Sequence, residues 1–299
     1  MKKEDYLGRG IHNEKFLNAL KFGKLKPLMD VIKNDSQLDV QIRNNYLSIY
    51  YVGGNIAKVN SEKSVEFDEK YFYTDMKKNP TKFIDDHTTQ NLTKLRKKLI
   101  NKFKEGNFEE YFSEAKEVMD KWFELKPNPE RNEQHQLSIQ NRYGKSDYTI
   151  IDIEYQVSTL SKFVCEYLRD NGKPREPRFD IIAVDKAGKI CVIELKKGSG
   201  ALRGKSGLEE HYKCYNESIG RMHEPFMQEM QILLDQKQDL NLIDPKVKIT
   251  SPEPQFMFAY SYVSGTKEED KIFKRVYKKI GMPIPVIKLE IGSWKLLYP

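Results

Sequence analysis

The stretch "FDIIAVDKAGKICVIELKKG", residues 179–198, constrains this chain more than any other. Two apolar runs are joined by Lys186-Ala187-Gly188-Lys189. Runs of this length, bounded by turn residues, read as buried strands, and so short a turn pairs them antiparallel. Yet the second run ends in Glu194, Leu195 and Lys196. A buried strand carries a carboxylate and an ammonium at high cost unless they are paired or bind something. Alternate strand residues share a face, so Glu194 and Lys196 point one way and Ile193 and Leu195 the other. Asp180 opens the first strand, and antiparallel pairing brings it level with Glu194 and Lys196. Two adjacent carboxylates repel unless one keeps its proton or a cation neutralises both. A hard divalent cation with oxygen ligands, Mg²⁺ before others, suits that position. Lys196 beside it could orient or deprotonate a water and stabilise developing negative charge.

Elsewhere the chain alternates helical and strand patterns. Residues 13–34 have helical spacing, and 38–72, rich in β-branched and aromatic residues with Gly53-Gly54 and Asn60-Ser61 turns, read as a three-strand meander. Residues 88–105 and 108–125 predict a helical hairpin, stopped between by Gly106. Pro127 and Pro129 then break the chain, which divides it into an N-terminal α+β region, 1–126, and a second domain, 127–299. That second half predicts a helix at 130–142, a strand at 147–157, a short helix at 159–170 and the hairpin. Helices near 207–218 and 225–237, a strand at 254–263, a helix at 267–280 and closing strands follow. The expected class is mixed α/β (α+β).

Composition excludes several function classes. The 299 residues are 38% hydrophobic and 32% charged, which fits a globular protein. No apolar run approaches the length of a membrane span, and the N-terminus lacks the apolar core of a secretory signal, so a cytoplasmic location is expected. Cys165, Cys191 and Cys214 are scattered and support neither a disulfide framework nor a zinc site. The net charge of +7 permits a polyanionic partner.

Asp180, followed by Glu194-x-Lys196 at the end of the next strand, resembles the PD-(D/E)xK nuclease superfamily. Phe179-Asp180 stands where the family has Pro-Asp, with Pro177 close by. The resemblance covers about residues 130–265. It implies a restriction-endonuclease-like αβββαβ core and a Mg²⁺-dependent phosphodiesterase site, with Mn²⁺ as a substitute. Asp180 and Glu194 would then be metal ligands, the main-chain carbonyl of Leu195 a third, and Lys196 would position the attacking water. The family often adds an acid from the first helix or strand; Glu154 is the candidate, with Glu133 behind it, and either also reads as a structural ion-pair partner. The resemblance implies DNA more than RNA as partner, in host defence or repair. The oligomeric state stays open, a dimer included.

Further residues carry two readings each. The loop "KKGSGALRGKSG" offers Lys197, Arg203 and Lys205 with no acid; it could cradle phosphates or be solvated surface. His211 and Tyr215 lie at i, i+4 on the next helix, where many relatives have Gln-x-x-x-Tyr; packing and capping is the plainer reading. Arg43, Tyr46, Tyr50 and Tyr51 could stack nucleic acid or cover a helix layer. The basic helix 94–104 could track a phosphate backbone or be a solvated face. Asp185 reads as a turn residue. Beside the nuclease stand two alternatives: a non-catalytic nucleic-acid-binding or scaffold protein, and a structural α/β protein whose Glu194–Lys196 is an exposed strand end.

Overall fold

The computed structural model describes residues 8–75, 79–83, 89–143, 146–157, 169–170, 173–174, 178–202, 207–281, 284–289 and 295–296. It is a mixed α+β protein that divides into two units, Gly10–His135 and a second made of Met1–Arg9 with Gln136–Pro299. The division lies beyond the Pro127–Pro129 break, and Arg9 belongs with the C-terminal residues.

In the N-terminal unit, α1 (Glu14–Lys21) and α2 (Lys26–Asn34) replace the single helix expected over 13–34. A Cβ on Gly23 would lie 2.9 Å from Ala19 Cα, so glycine lets the chain turn there, and Pro27 suits the first turn of α2. The meander has four strands, not three: β1 (Leu38–Ile42), β2 (Leu47–Tyr51), β3 (Gly54–Ser61) and β4 (Ser64–Glu66), antiparallel in that order. The fourth arises because Ser64–Glu66 folds back on β3, pairing Val65 with Val59. A short pair, β5 (Tyr73–Asp75) and β6 (Asn79–Phe83), precedes the expected helical hairpin of α3 (Thr89–Lys104) and α4 (Phe108–Leu125). Helix α5 (Pro129–Gln140) then crosses the division.

The C-terminal unit is built on β7 (Tyr148–Gln156), the two-residue β8 (Arg169–Asp170) and β9 (Lys173–Pro174), β10 (Arg178–Asp185) and β11 (Ile190–Lys197). Helices α6 (Leu208–Glu217) and α7 (His223–Asp239), strand β12 (Gln255–Ser261), helix α8 (Lys267–Ile280) and β13 (Val286–Leu289) complete it. The helix expected over 159–170 lies outside the described residues, apart from Arg169–Asp170 in β8. Five strands form one sheet in the order β13-β12-β11-β10-β7. The β7-β10-β11 part is antiparallel, while β12 runs parallel to β11 and β13 parallel to β12.

The β10–β11 hairpin closes as its turn residues dictate. Gly188 takes φ +80°, and the Asp185 side chain accepts hydrogen bonds from the amides of Ala187 and Lys189. Asp185 is thus a turn residue. One sheet face is apolar: Ile153, Ile181, Ile193, Leu195, Met257, Ala259 and Ile287 share a single buried cluster with Leu137 and Leu296. Among the described residues no helix is long and apolar enough to cross a membrane.

Candidate active site

The other face of that sheet carries the charges. Ile181 pairs with Ile193 and Ile182 with Val192, so Asp180, one residue before Ile181, stands across from Glu194. Strand β11 is buried from Ile190 through Lys196, and only Lys197 emerges. Glu194 is 3% exposed and Lys196 6%. The strand tolerates them because they are paired: Lys196 Nζ lies 2.9 Å from Glu194 Oε1. Helix α6 adds His211, whose Nδ1 lies 3.1 Å from the same oxygen. Among the described residues no N–H group reaches the other carboxylate oxygen, the buried Glu194 Oε2, and the Asp180 carboxyl shares a side-chain hydrogen bond with Glu194.

Asp180 is held differently. Its Oδ2 accepts the Leu195 amide at 2.8 Å. Burial, and then the Glu194 carboxylate, push its pKa well above the usual aspartate range, against the pull of the Leu195 amide and Lys196. For Glu194 burial also pushes upward, but the His211 hydrogen bond and the charges of Lys196 and His211 together outweigh it, and its carboxyl is held low. Two facing carboxylates thus divide their roles: Asp180 prefers its proton and Glu194 stays ionised.

Among the described residues no group of three or more His, Cys, Asp or Glu side chains is placed to hold a metal ion. A divalent cation would therefore rely on two carboxylates and main-chain or solvent oxygens, a sparse set of the kind Mg²⁺ accepts. The buried Asp180–Glu194 pair fits such an ion, since a cation between the two carboxylates would replace the proton that Asp180 keeps and shares with Glu194.

The remaining sequence candidates separate. Glu154 lies across β7 from Asp180, since Phe179↔Tyr155 and Ile181↔Ile153 bracket the two residues. Its carboxylate faces Arg178 Nη1 at 3.8 Å. Its backbone is left-handed, with φ +50°. Glu133 is buried in α5 and belongs to the N-terminal unit. Tyr215 is a core residue: its hydroxyl donates to Pro254 O and its ring packs on Phe256 and Phe179. His211 and Tyr215, neighbours on one helix, thus do different work. Lys197 is exposed at the end of β11, while Arg203 and Lys205 lie outside the described residues. In the N-terminal unit Arg43, Tyr50 and Tyr51 are buried, with Tyr51 Oη donating to Asp120 of α4 and the Tyr50 ring against His135. Tyr46, the fourth of that set, is half-buried, with Lys58 Nζ 5.0 Å from its ring centroid. Lys98 and Lys102 of α3 pair with Glu110 and Glu114 of α4, so part of that helix's basic face is neutralised.

Sequence reasoning missed a second polar cluster. Arg9 Nε lies 3.2 Å from Asp152 Oδ2, and its Nη2 donates to the carbonyl of Glu154 at 2.8 Å. The Arg9 amide donates to Glu229 Oε1, and Tyr155 Oη donates to Glu229 Oε2 at 2.5 Å. Glu229 left a legible signal, an acid on the apolar stripe of Phe226, Met230 and Leu233. Arg9 left none.

Comparison of the chain with protein-family models, with curated proteins and with solved structures found no match.

Proposed function

We propose that the C-terminal unit is a Mg²⁺-dependent nuclease that hydrolyses phosphodiester bonds, DNA in preference to RNA, with Mn²⁺ as a substitute cation. The preference for DNA and a setting in defence or repair follow from the resemblance to the PD-(D/E)xK superfamily alone. The observation that carries the reading is the buried Asp180–Glu194 carboxylate pair, close enough to share a hydrogen bond, with Lys196 beside it. The strand sequence β7-β10-β11, then helix and parallel β12, supports it as the order an αβββαβ core requires.

In this reading Asp180, Glu194 and the main-chain carbonyl of Leu195 would hold the cation, which would supply Lewis acidity when bound. His211 and Lys196 both contact Glu194 Oε1, which fixes the orientation of the carboxylate. Lys196 orients the attacking water and faces the charge that builds on the phosphate. Exposed Lys197 extends positive charge along the path of the backbone.

Plasmid DNA and a structured RNA, incubated with pure protein and Mg²⁺, Mn²⁺ or chelator, test this. Cleavage with either cation and none with chelator is expected. Lys196→Ala should lose on the order of a hundredfold in turnover with DNA affinity nearly kept, because its contact is made chiefly in the transition state. Absence of cleavage, together with no heat of metal binding in calorimetry, would reject the reading and favour a nucleic-acid-binding protein.

A further inference from the structure

We infer that Arg9 is a positioning residue for the carboxylate site: it clamps the left-handed backbone of Glu154 and thereby sets where Asp180 stands. The inference rests on Asp180 and Glu194 being the working site, and it is carried by geometry separate from theirs. Arg9 is 5% exposed, Asp152 0% and Glu229 3%, so the network is a built interior feature. The guanidinium spans two points of β7 separated by one residue, Asp152 Oδ2 and the Glu154 carbonyl, and lies over the Tyr155 ring at 5.6 Å. Its own backbone is anchored to Glu229 of α7, which also holds Tyr155. Between these fixed points sits Glu154 with φ +50°, a conformation that residues other than glycine adopt only when their surroundings impose it. Glu154 is the β7 residue across from Asp180. The β10–β11 ladder runs from Ile181↔Ile193 to Val184↔Ile190, and at Asp180 the Leu195 amide turns to the aspartate side chain. Asp180 is therefore supported on one side by that amide and on the other by a strand residue whose shape Arg9 enforces.

Amide hydrogen exchange at Leu195, read by NMR in the full-length protein without metal, tests the inference, with Mn²⁺ binding by calorimetry as the second measurement. Arg9→Ala should speed exchange at Leu195 by about tenfold or more, while Ile193 in the same strand keeps its protection. Glycine takes positive φ without steric cost, so Glu154→Gly removes the need for a clamp. In that background Arg9→Ala should leave Leu195 exchange and Mn²⁺ affinity where Glu154→Gly alone sets them. Equal losses in both backgrounds, or uniform acceleration along β11, would overturn the inference and reduce Arg9 to a general stabiliser. If Arg9→Ala does not fold, Arg9→Lys gives the same readings, since it keeps the charge but cannot span both contacts. A wild type that binds no Mn²⁺ would sink the nuclease reading on that arm alone, and the Leu195 arm would still decide the role of Arg9.

Discussion

Asp180 and Glu194 show how one site makes two chemically different carboxyls from neighbouring residues. Glu194 has Lys196 and His211 on Oε1, whereas for Asp180 burial and the Glu194 carboxylate outweigh the Leu195 amide and the Lys196 charge. The fold keeps Asp180 protonated where an unfolded chain would ionise it. Stability from this residue is therefore full below the ordinary aspartate pKa and falls as pH rises toward the raised folded value. Asp180→Asn should raise the metal-free melting temperature, more at pH 8 than at pH 5, by about 2–4 °C per kcal/mol recovered in a protein of this size. The same variant should abolish any melting shift on adding Mg²⁺. Calorimetric scans at both pH values check both halves; a variant less stable at both would mean that the carboxyl is not strained by its neighbour. The trio of Asp180, Glu194 and Lys196 was legible because it needs only a period of two and a short turn. His211 was legible as a residue but not as a contact, because spacing on α6 cannot say which of two helix neighbours reaches the sheet.

At the scale of elements, periodicity carried β7, β10, β11, β12 and the α3–α4 hairpin, whose apolar patterns are long and bounded by turn signals. It missed what short-range steric events decide: the break at Gly23 and the return of Ser64–Glu66 onto β3. Helix α7 shows a further limit, since an acid on its apolar stripe announces a buried partner without naming it. Burial pushes the Glu229 carboxyl up to about 7, against the Tyr155 hydroxyl, the Arg9 amide and the Arg9 charge. A raised carboxyl favours the protonated fold, so its contribution is present below the ordinary glutamate pKa and is lost as pH climbs through about 7. Glu229→Gln should flatten the decline of melting temperature between about pH 5 and pH 8. An unaltered pH profile would assign that decline to other groups, Asp180 first.

For the whole molecule, the C-terminal unit is discontinuous in sequence, with Gly10–His135 inserted between Arg9 and the rest. No local pattern announces this, because the contact between Arg9 and Glu229 spans 220 residues. A fragment of residues 136–299 would keep Asp152 buried without the Arg9 guanidinium and Glu229 without the Arg9 amide. It should be less stable than the same unit in the full chain by roughly 3 kcal/mol, the cost typical of a buried charge left without its partner. Chemical denaturation of fragment and full chain, followed through signals of the C-terminal unit, measures this; equal midpoints would show that Arg9 contributes nothing. The insertion also bears on how the chain acquires its shape. Gly10 bonds to Arg43 and Asn45, and His135 bonds to Asp39 and stacks on Tyr50, so both ends of the inserted unit rest on β1 and β2 or the turn between them. Chain entropy opposes closing a long loop, by about 0.6 kcal/mol for each doubling of length. A folded insert tethers its own ends and leaves only the stretch from Gln136 to Glu229 to be closed. On the ribosome Arg9 leaves well before α7 and waits for it, so the clamp on Glu154 is anchored only once Glu229 has followed, 220 residues later.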